Sequence, residues 1–139
     1  MAQRRMFSLQ IVDTDKFLDL PTSAQALYFH LGMHADDDGF VASPKRIMRS
    51  VGCREDDLSI LVVKEFVIPF DSGVIVITDW KLNNTLKNDR YKRTIYQKEK
   101  SMLCDDGAGR YFLNPNTIST CNRLGSGSEP KWIQAGTIT

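Results

Sequence analysis

His30 and His34 stand one helical turn apart, with Asp36, Asp37 and Asp38 close behind them. Imidazoles at that spacing can chelate a metal, and nearby carboxylates can complete the set. The pattern lacks the glutamate between the histidines that serves a metalloprotease as general base. It also lacks the glutamate that closes a calcium loop. We therefore read the histidines as a helix-end pair and the aspartates as a turn, and assign no metal. Cys53, Cys104 and Cys121 are odd in number, widely spaced and never arranged as Cys-x-x-Cys. They give neither a disulfide framework nor a zinc set and read as reduced thiols. The chain carries no Gly-x-Ser-x-Gly elbow, no phosphate-binding glycine loop and no motif pairing a cysteine with a histidine. The expectation is a protein that is not an enzyme and uses no cofactor.

Cationic side chains offer a different chemistry. Residues 81–100 hold Lys81, Lys87, Arg90, Lys92, Arg93, Lys98 and Lys100 against Asp89 and Glu99, a balance of +5. Residues 1–80 carry 8 Lys/Arg against 12 Asp/Glu, a balance of −4, so the overall +1 conceals a split. Such asymmetry marks a partner surface on one segment. Cations in this stretch can neutralise phosphates, while Tyr91 and Tyr96 present faces on which unpaired bases can stack. The alternative is a solvated basic helix, or tyrosines packed back onto the domain.

Composition sets the frame for these side chains. The chain has 139 residues, of which 42% are hydrophobic and 25% charged, enough for one ordinary core. No apolar run approaches the ~20 residues of a membrane span. The start, Met-Ala-Gln-Arg-Arg-Met-Phe-Ser, has no apolar stretch of signal-peptide length. A soluble, cytoplasmic protein is expected, with no membrane partner.

The elements that must position the charged residues read as follows. Thr22 with Gln25 fits a capping box. Ala24, Leu27, Tyr28, Leu31 and Ala35 then recur along one helical face. Asp36-Asp-Asp-Gly39 ends that helix, and Phe40-Val41 is a brief strand. Ser43 as N-cap, Pro44 in the first turn and Gly52 as terminator bound a second short helix carrying Lys45, Arg46 and Arg49. Glu55, Asp56 and Asp57 suit the start of a third helix. Its buried face is Leu58, Leu61, Val62 and Phe66. Val67-Ile68 and Val74 to Trp80, separated by Pro69-Phe-Asp-Ser-Gly73, form a hairpin. Helix, strand, helix, tight turn, helix, hairpin is the winged helix-turn-helix order. The expected class is α+β, mainly α. The winged helix-turn-helix domain spans 1–80, a basic helical extension follows at 81–103, and an irregular, flexible tail occupies 104–139.

Within a winged helix the third helix ordinarily enters the major groove. Here it brings Glu55, Asp56, Asp57, Lys64 and Glu65, and the hairpin turn adds Asp71 and no cation. That balance is unfavourable toward phosphate. The second helix and the basic extension are better suited. The residues expected to touch DNA are thus Lys45, Arg46, Arg49, Lys81, Lys87, Arg90, Tyr91, Lys92, Arg93 and Tyr96.

Several collinear stretches carry a resemblance. They include Arg5-Met-Phe-Ser, Ile11-Val-Asp-Thr-Asp15, Phe17-Leu-Asp-Leu-Pro21, Ser23 to Leu31 and Ala35-Asp-Asp-Asp-Gly-Phe-Val41. They continue through Glu55-Asp-Asp-Leu58, Ile68-Pro-Phe70, Ser72-Gly-Val74, Trp80, Asn83-Asn84, Asp89-Arg-Tyr-Lys92 and Thr94-Ile-Tyr-Gln97. Over roughly residues 4–103 the chain resembles the N-terminal domain of phage replisome organisers, the DnaD-like replication-initiation proteins of prophages of Gram-positive bacteria. The resemblance implies a winged-helix domain that helps start phage DNA replication. It also implies DNA, single- or double-stranded, a helicase loader and further copies of the chain as partners. Arg93 stands where the family is expected to have proline, which favours a continuous helix through Lys92 and Thr94. Two alternatives stay open: a protein-interaction adaptor without DNA binding, and a winged-helix transcriptional regulator reading bases through Arg54, Ser59 and Lys64.

Overall fold

The structure is a computed structural model and describes residues 4–84 and 91–114. Twelve elements occur among them: α1 (Leu9–Val12), α2 (Asp15–Leu18), α3 (Thr22–His34), β1 (Phe40–Val41), α4 (Pro44–Val51), α5 (Glu55–Val63), β2 (Val67–Pro69), β3 (Ile75–Ile77), α6 (Trp80–Asn83), α7 (Gln97–Ser101), β4 (Leu103–Asp105) and β5 (Tyr111–Leu113). The class is α+β, with two small antiparallel sheets. No helix among the described residues is long and apolar enough to cross a membrane.

The axis of the core is α3, because its apolar side chains recur three and four apart. Ala24, Leu27, Tyr28 and Leu31 are fully buried, and the helix packs on α4 and α5. Phe17 and Phe66 meet the Tyr28 ring edge-on, at 5.3 and 5.8 Å. The expected capping box does not form: Pro21 takes the cap position and Thr22 is already helical. Gln25 reaches back instead, its Nε2 donating to the carbonyls of Leu18 and Leu20. It thereby ties the α2–α3 link to the helix.

Pro44 opens α4 without loss, since the first-turn N–H has no helical partner to give up. The Ser43 hydroxyl, expected to cap, makes no such bond. Gly52 ends the helix at φ +83, and its N–H and that of Cys53 return to the Met48 carbonyl. The start of α5 is pinned by Asp57. One carboxylate oxygen accepts from the Arg54 N–H at 3.0 Å and the other from the Ser23 hydroxyl at 2.6 Å. Of the four residues expected to form the buried face of this helix, Leu61 and Phe66 are buried, whereas Leu58 and Val62 are only half-buried.

The hairpin forms as its β-branched runs require, with Val67 opposite Ile77 and Pro69 opposite Ile75. β1 joins the other edge of β3, Phe40 opposite Val76, giving the order β1-β3-β2. The second strand stops at Ile77, so that Trp80 starts α6 rather than ending a strand.

Beyond Trp80 the expected division of the chain needs correction. No continuous helix runs through 81–103: helix occurs at Trp80–Asn83 and Gln97–Ser101, and 91–96 is non-helical. Arg93 leaves a helix allowed, but bonds to the rest of the domain hold this stretch open. The start of the expected irregular tail is also ordered. β4 and β5 pair from Leu103–Leu113 to Asp105–Tyr111, and Tyr111 lies in the core. With Tyr96, Met102, Leu103 and Leu113 packed against that core, residues 91–114 and 4–80 share one interior. The rest of the tail, 115–139, lies outside the described residues.

Candidate functional site

The three aspartates that end α3 organise the molecule. Asp36 closes its own turn, Oδ1 accepting from the N–H groups of Asp38 and Phe40 at 2.9 and 3.0 Å. Its Oδ2 accepts from the Thr94 hydroxyl at 2.6 Å. Asp37 accepts from Arg5 Nη1 at 3.1 Å and from the Lys92 N–H at 2.9 Å. Asp38 accepts from the Tyr91 hydroxyl at 2.6 Å, the Thr94 N–H at 2.9 Å and Lys100 Nζ at 3.1 Å. Even the backbone is used, with Trp80 Nε1 and the Tyr111 hydroxyl donating to the carbonyls of Asp37 and Asp38. Carboxylates this buried persist because charged and neutral donors satisfy them from several sides.

The basic stretch is thus a strap clamped to an acidic turn. Among the described residues one cation of the stretch, Lys100, pairs with the turn, and the other contacts come from neutral donors: the Tyr91 and Thr94 hydroxyls and the Lys92 and Thr94 N–H groups. The three successive aspartates were the sequence signal for it. They exceed what a turn needs, and they complement the positive stretch that follows.

Two further latches keep the strap and the N-terminal arm in place. Asn84 exchanges hydrogen bonds with the backbone of Met6 (2.8 and 3.1 Å), and Asn83 accepts from the Ser8 N–H at 2.8 Å. Arg5 is buried over the Trp80 ring, 5.2 Å from its centre, and also donates to the Ala35 carbonyl. Burial raises the Tyr91 hydroxyl above its usual range, and the bond to Asp38 adds to this. At Lys100, desolvation pulls the ammonium down, but the Tyr91 and Asp38 oxygens outweigh it and the net shift is upward. Burial also raises the Asp79 carboxyl, although Arg110 and Lys16 oppose the shift.

The residues expected to touch DNA fall into three groups. Lys45, Arg46 and Arg49 are exposed on α4, and Lys92 and Arg93 are exposed on the strap. None of the five forms a salt bridge among the described residues; Arg93 bonds only the Gln97 amide. Lys81, Tyr91 and Tyr96 are engaged internally. Lys81 pairs with Asp105 at 2.7 Å and lies over the Tyr111 ring. Tyr91, 38% exposed, is held through its hydroxyl, and Tyr96 packs on Phe40 with ring centres 6.0 Å apart. Lys87 and Arg90 lie outside the described residues.

Two hollows flank the segment joining β1 to α4. One, of about 270 Å³, is lined by His34, Phe40, Ala42, Lys92, Arg93 and Tyr96. The other, about 770 Å³, begins at Ser43 and Pro44 and has Lys45 and Arg46 on its α4 border. Cations from two distant parts of the sequence therefore border one short segment, Ala42–Pro44. His34 Nδ1 sits 2.9 Å from the His30 carbonyl, and no group of three or more His, Cys, Asp or Glu able to hold a metal occurs among the described residues. Comparison with protein-family models, curated proteins and solved structures finds no match to this chain.

Proposed function

We propose that the chain is a winged-helix accessory module of DNA-replication initiation, of the replisome-organiser kind, that holds DNA non-catalytically and makes protein contacts. The α3-β1-α4-α5-β2-β3 succession with sheet order β1-β3-β2 supports the winged-helix part. In that arrangement a hairpin wing projects beside the second helix of a helix-turn-helix pair. The observation that carries DNA binding is the exposure of Lys45 and Arg46 on α4 and of Lys92 and Arg93 on the strap, with no salt bridge to any of the four among the described residues. Exposed cations release counterions when they meet phosphates, which is the main source of sequence-independent affinity.

The geometry favours backbone contact over base stacking, because both strap tyrosines already have partners in the domain. Fluorescence anisotropy with single- and double-stranded oligonucleotides at two salt concentrations tests the reading. Changing Lys45, Arg46, Lys92 and Arg93 together to alanine is expected to weaken binding across sequences and flatten the log–log salt slope by roughly three. Equal affinity and slope in the variant would remove the DNA role from this surface.

A further inference from the structure

Helix α5 has more apolar surface than the fold uses. Its nine residues include Leu58, Ile60, Leu61, Val62 and Val63, yet only Leu61 is fully buried among these five. Leu58, Ile60 and Val62 are half-buried and Val63 is 43% exposed. A helix apolar on more than one side is ordinarily covered on more than one side. Beside it runs the 770 Å³ groove between α4, α5 and the hairpin, with Leu58, Val62, Pro69 and Ile75 among its walls.

Its charges are of both signs. Lys45 and Arg46 come from α4, whereas Glu55 comes from α5 and Asp71 from the hairpin turn. Duplex DNA fits this poorly, since the carboxylates repel phosphates and apolar walls give phosphates nothing. A small polar ligand would also lack an anchor. The buried side-chain polar atoms without a partner among the described residues, Arg5 Nε and Thr78 Oγ1, do not line the groove. A second copy presenting the same groove across a two-fold axis would set hollow against hollow.

From this we infer that the α4–α5–hairpin groove docks an amphipathic helix of another protein, with its apolar stripe on Leu58 and Val62, acidic residues toward Lys45 and Arg46, and basic residues toward Glu55 and Asp71. An amphipathic helix offers an apolar stripe between charged flanks, which matches apolar walls bordered by charges of both signs, and the charge pattern sets its orientation. The inference shares Lys45 and Arg46 with the DNA reading but stands on the apolar groove, and Lys92 and Arg93, which lie outside that groove, separate the two in the test.

The test uses the full chain, methyl-labelled for NMR, and three synthetic leucine-striped helical peptides. One carries glutamates on one flank and lysines on the other; the second carries only glutamates, the third only lysines. The mixed peptide is expected to shift the Leu58, Val62 and Ile75 methyls and to bind at least ~3-fold tighter than the others. Val62→Glu, at a half-exposed site, should weaken it ~10-fold. The double variant Lys45→Glu with Arg46→Glu, both exposed, should shift preference to the all-lysine peptide. Lys92→Ala with Arg93→Ala should lower DNA affinity and leave peptide affinity unchanged. The inference is overturned if no peptide shifts these methyls, if binding ignores flank charge, if duplex DNA shifts them instead, or if dilution of the protein alone does so, which would indicate a second copy.

Discussion

Replacing Asp38 with asparagine tests the clamp where it is most concentrated. The side chain is 4% exposed and accepts from Tyr91, from the Thr94 N–H and from Lys100. Asparagine keeps one acceptor oxygen and replaces the other by an NH₂ group, which must then face a donor. Losing one hydrogen bond to a charged acceptor costs about 1.5–3 kcal/mol, and a buried donor left without a partner costs about 1–3 kcal/mol. The Lys100 pair adds less than ~1 kcal/mol, since that ammonium is partly in water. Allowing for overlap, we expect a loss of about 3 kcal/mol, a large share of a typical domain's stability.

Urea denaturation followed by circular dichroism measures this, and the melting temperature should fall by roughly 10–20 °C. Hydrogen exchange should accelerate first at the amides of Lys92 and Thr94, which the acidic turn holds. Tyr91→Phe alone is expected to cost about 0.5–1.5 kcal/mol. The cycle with Asp38→Asn should show coupling of the order of 1 kcal/mol. A loss below ~0.5 kcal/mol for Asp38→Asn, with unchanged exchange at Thr94, would refute the clamp. The strap would then be held by apolar packing and by the bonds to Asp36 and Asp37.

Gly39→Ala should destabilise by about 2–4 kcal/mol in the same assay, because φ is +91 and the new Cβ would lie 2.5 Å from Trp80 Cγ. Burial raises the Asp79 carboxyl above its ordinary value, so folding favours its protonated form relative to the unfolded chain. It contributes stability below the ordinary carboxylate range that is lost as pH rises through its raised value. Asp79→Asn should flatten that part of the stability–pH curve, as urea midpoints across the acid range would show. Tyr91 and Lys100 are both raised, so the strap's contribution should disappear as pH climbs through their values. Tyr91→Phe should remove part of this alkaline loss. Arg5→Ala leaves Asp37 buried with one donor fewer and should cost about 3–5 kcal/mol by denaturant titration.

What could be read in advance follows the range of the interaction involved. The face of α3, the Gly52 stop and the hairpin were legible, because each depends on neighbours within a turn or two. The capping details were not. Ser43 and Thr22 have the right chemistry, but Pro44 and Pro21 already set the backbone at both helix starts. Leu58 and Val62 carry the same apolar signal as Leu61, and periodicity cannot tell a side chain in the core from one lining a groove. In the candidate site, Lys45, Arg46, Lys92 and Arg93 were recognisable as cations. The partners that occupy Tyr91, Tyr96 and Lys81 were not, since Asp38, Phe40 and Asp105 lie many residues away from them.

By itself the sequence determined the α+β class, the order of the elements from α3 through the hairpin, and the division of charge between the first eighty residues and the next twenty. These follow from local side-chain periodicity, turn chemistry and counting. Only the tertiary structure decided what the charge does. Thr94 and the tyrosines could have extended a helix into solvent, yet the buried carboxylates of Asp37 and Asp38 and the half-buried one of Asp36 outweigh that helix with hydrogen bonds from Tyr91, Lys92, Thr94 and Lys100. Local propensity is worth tenths of a kcal/mol per residue, whereas each buried carboxylate left without donors would cost several. That difference folds the strap onto the acidic turn and leaves Lys92 and Arg93 facing outward.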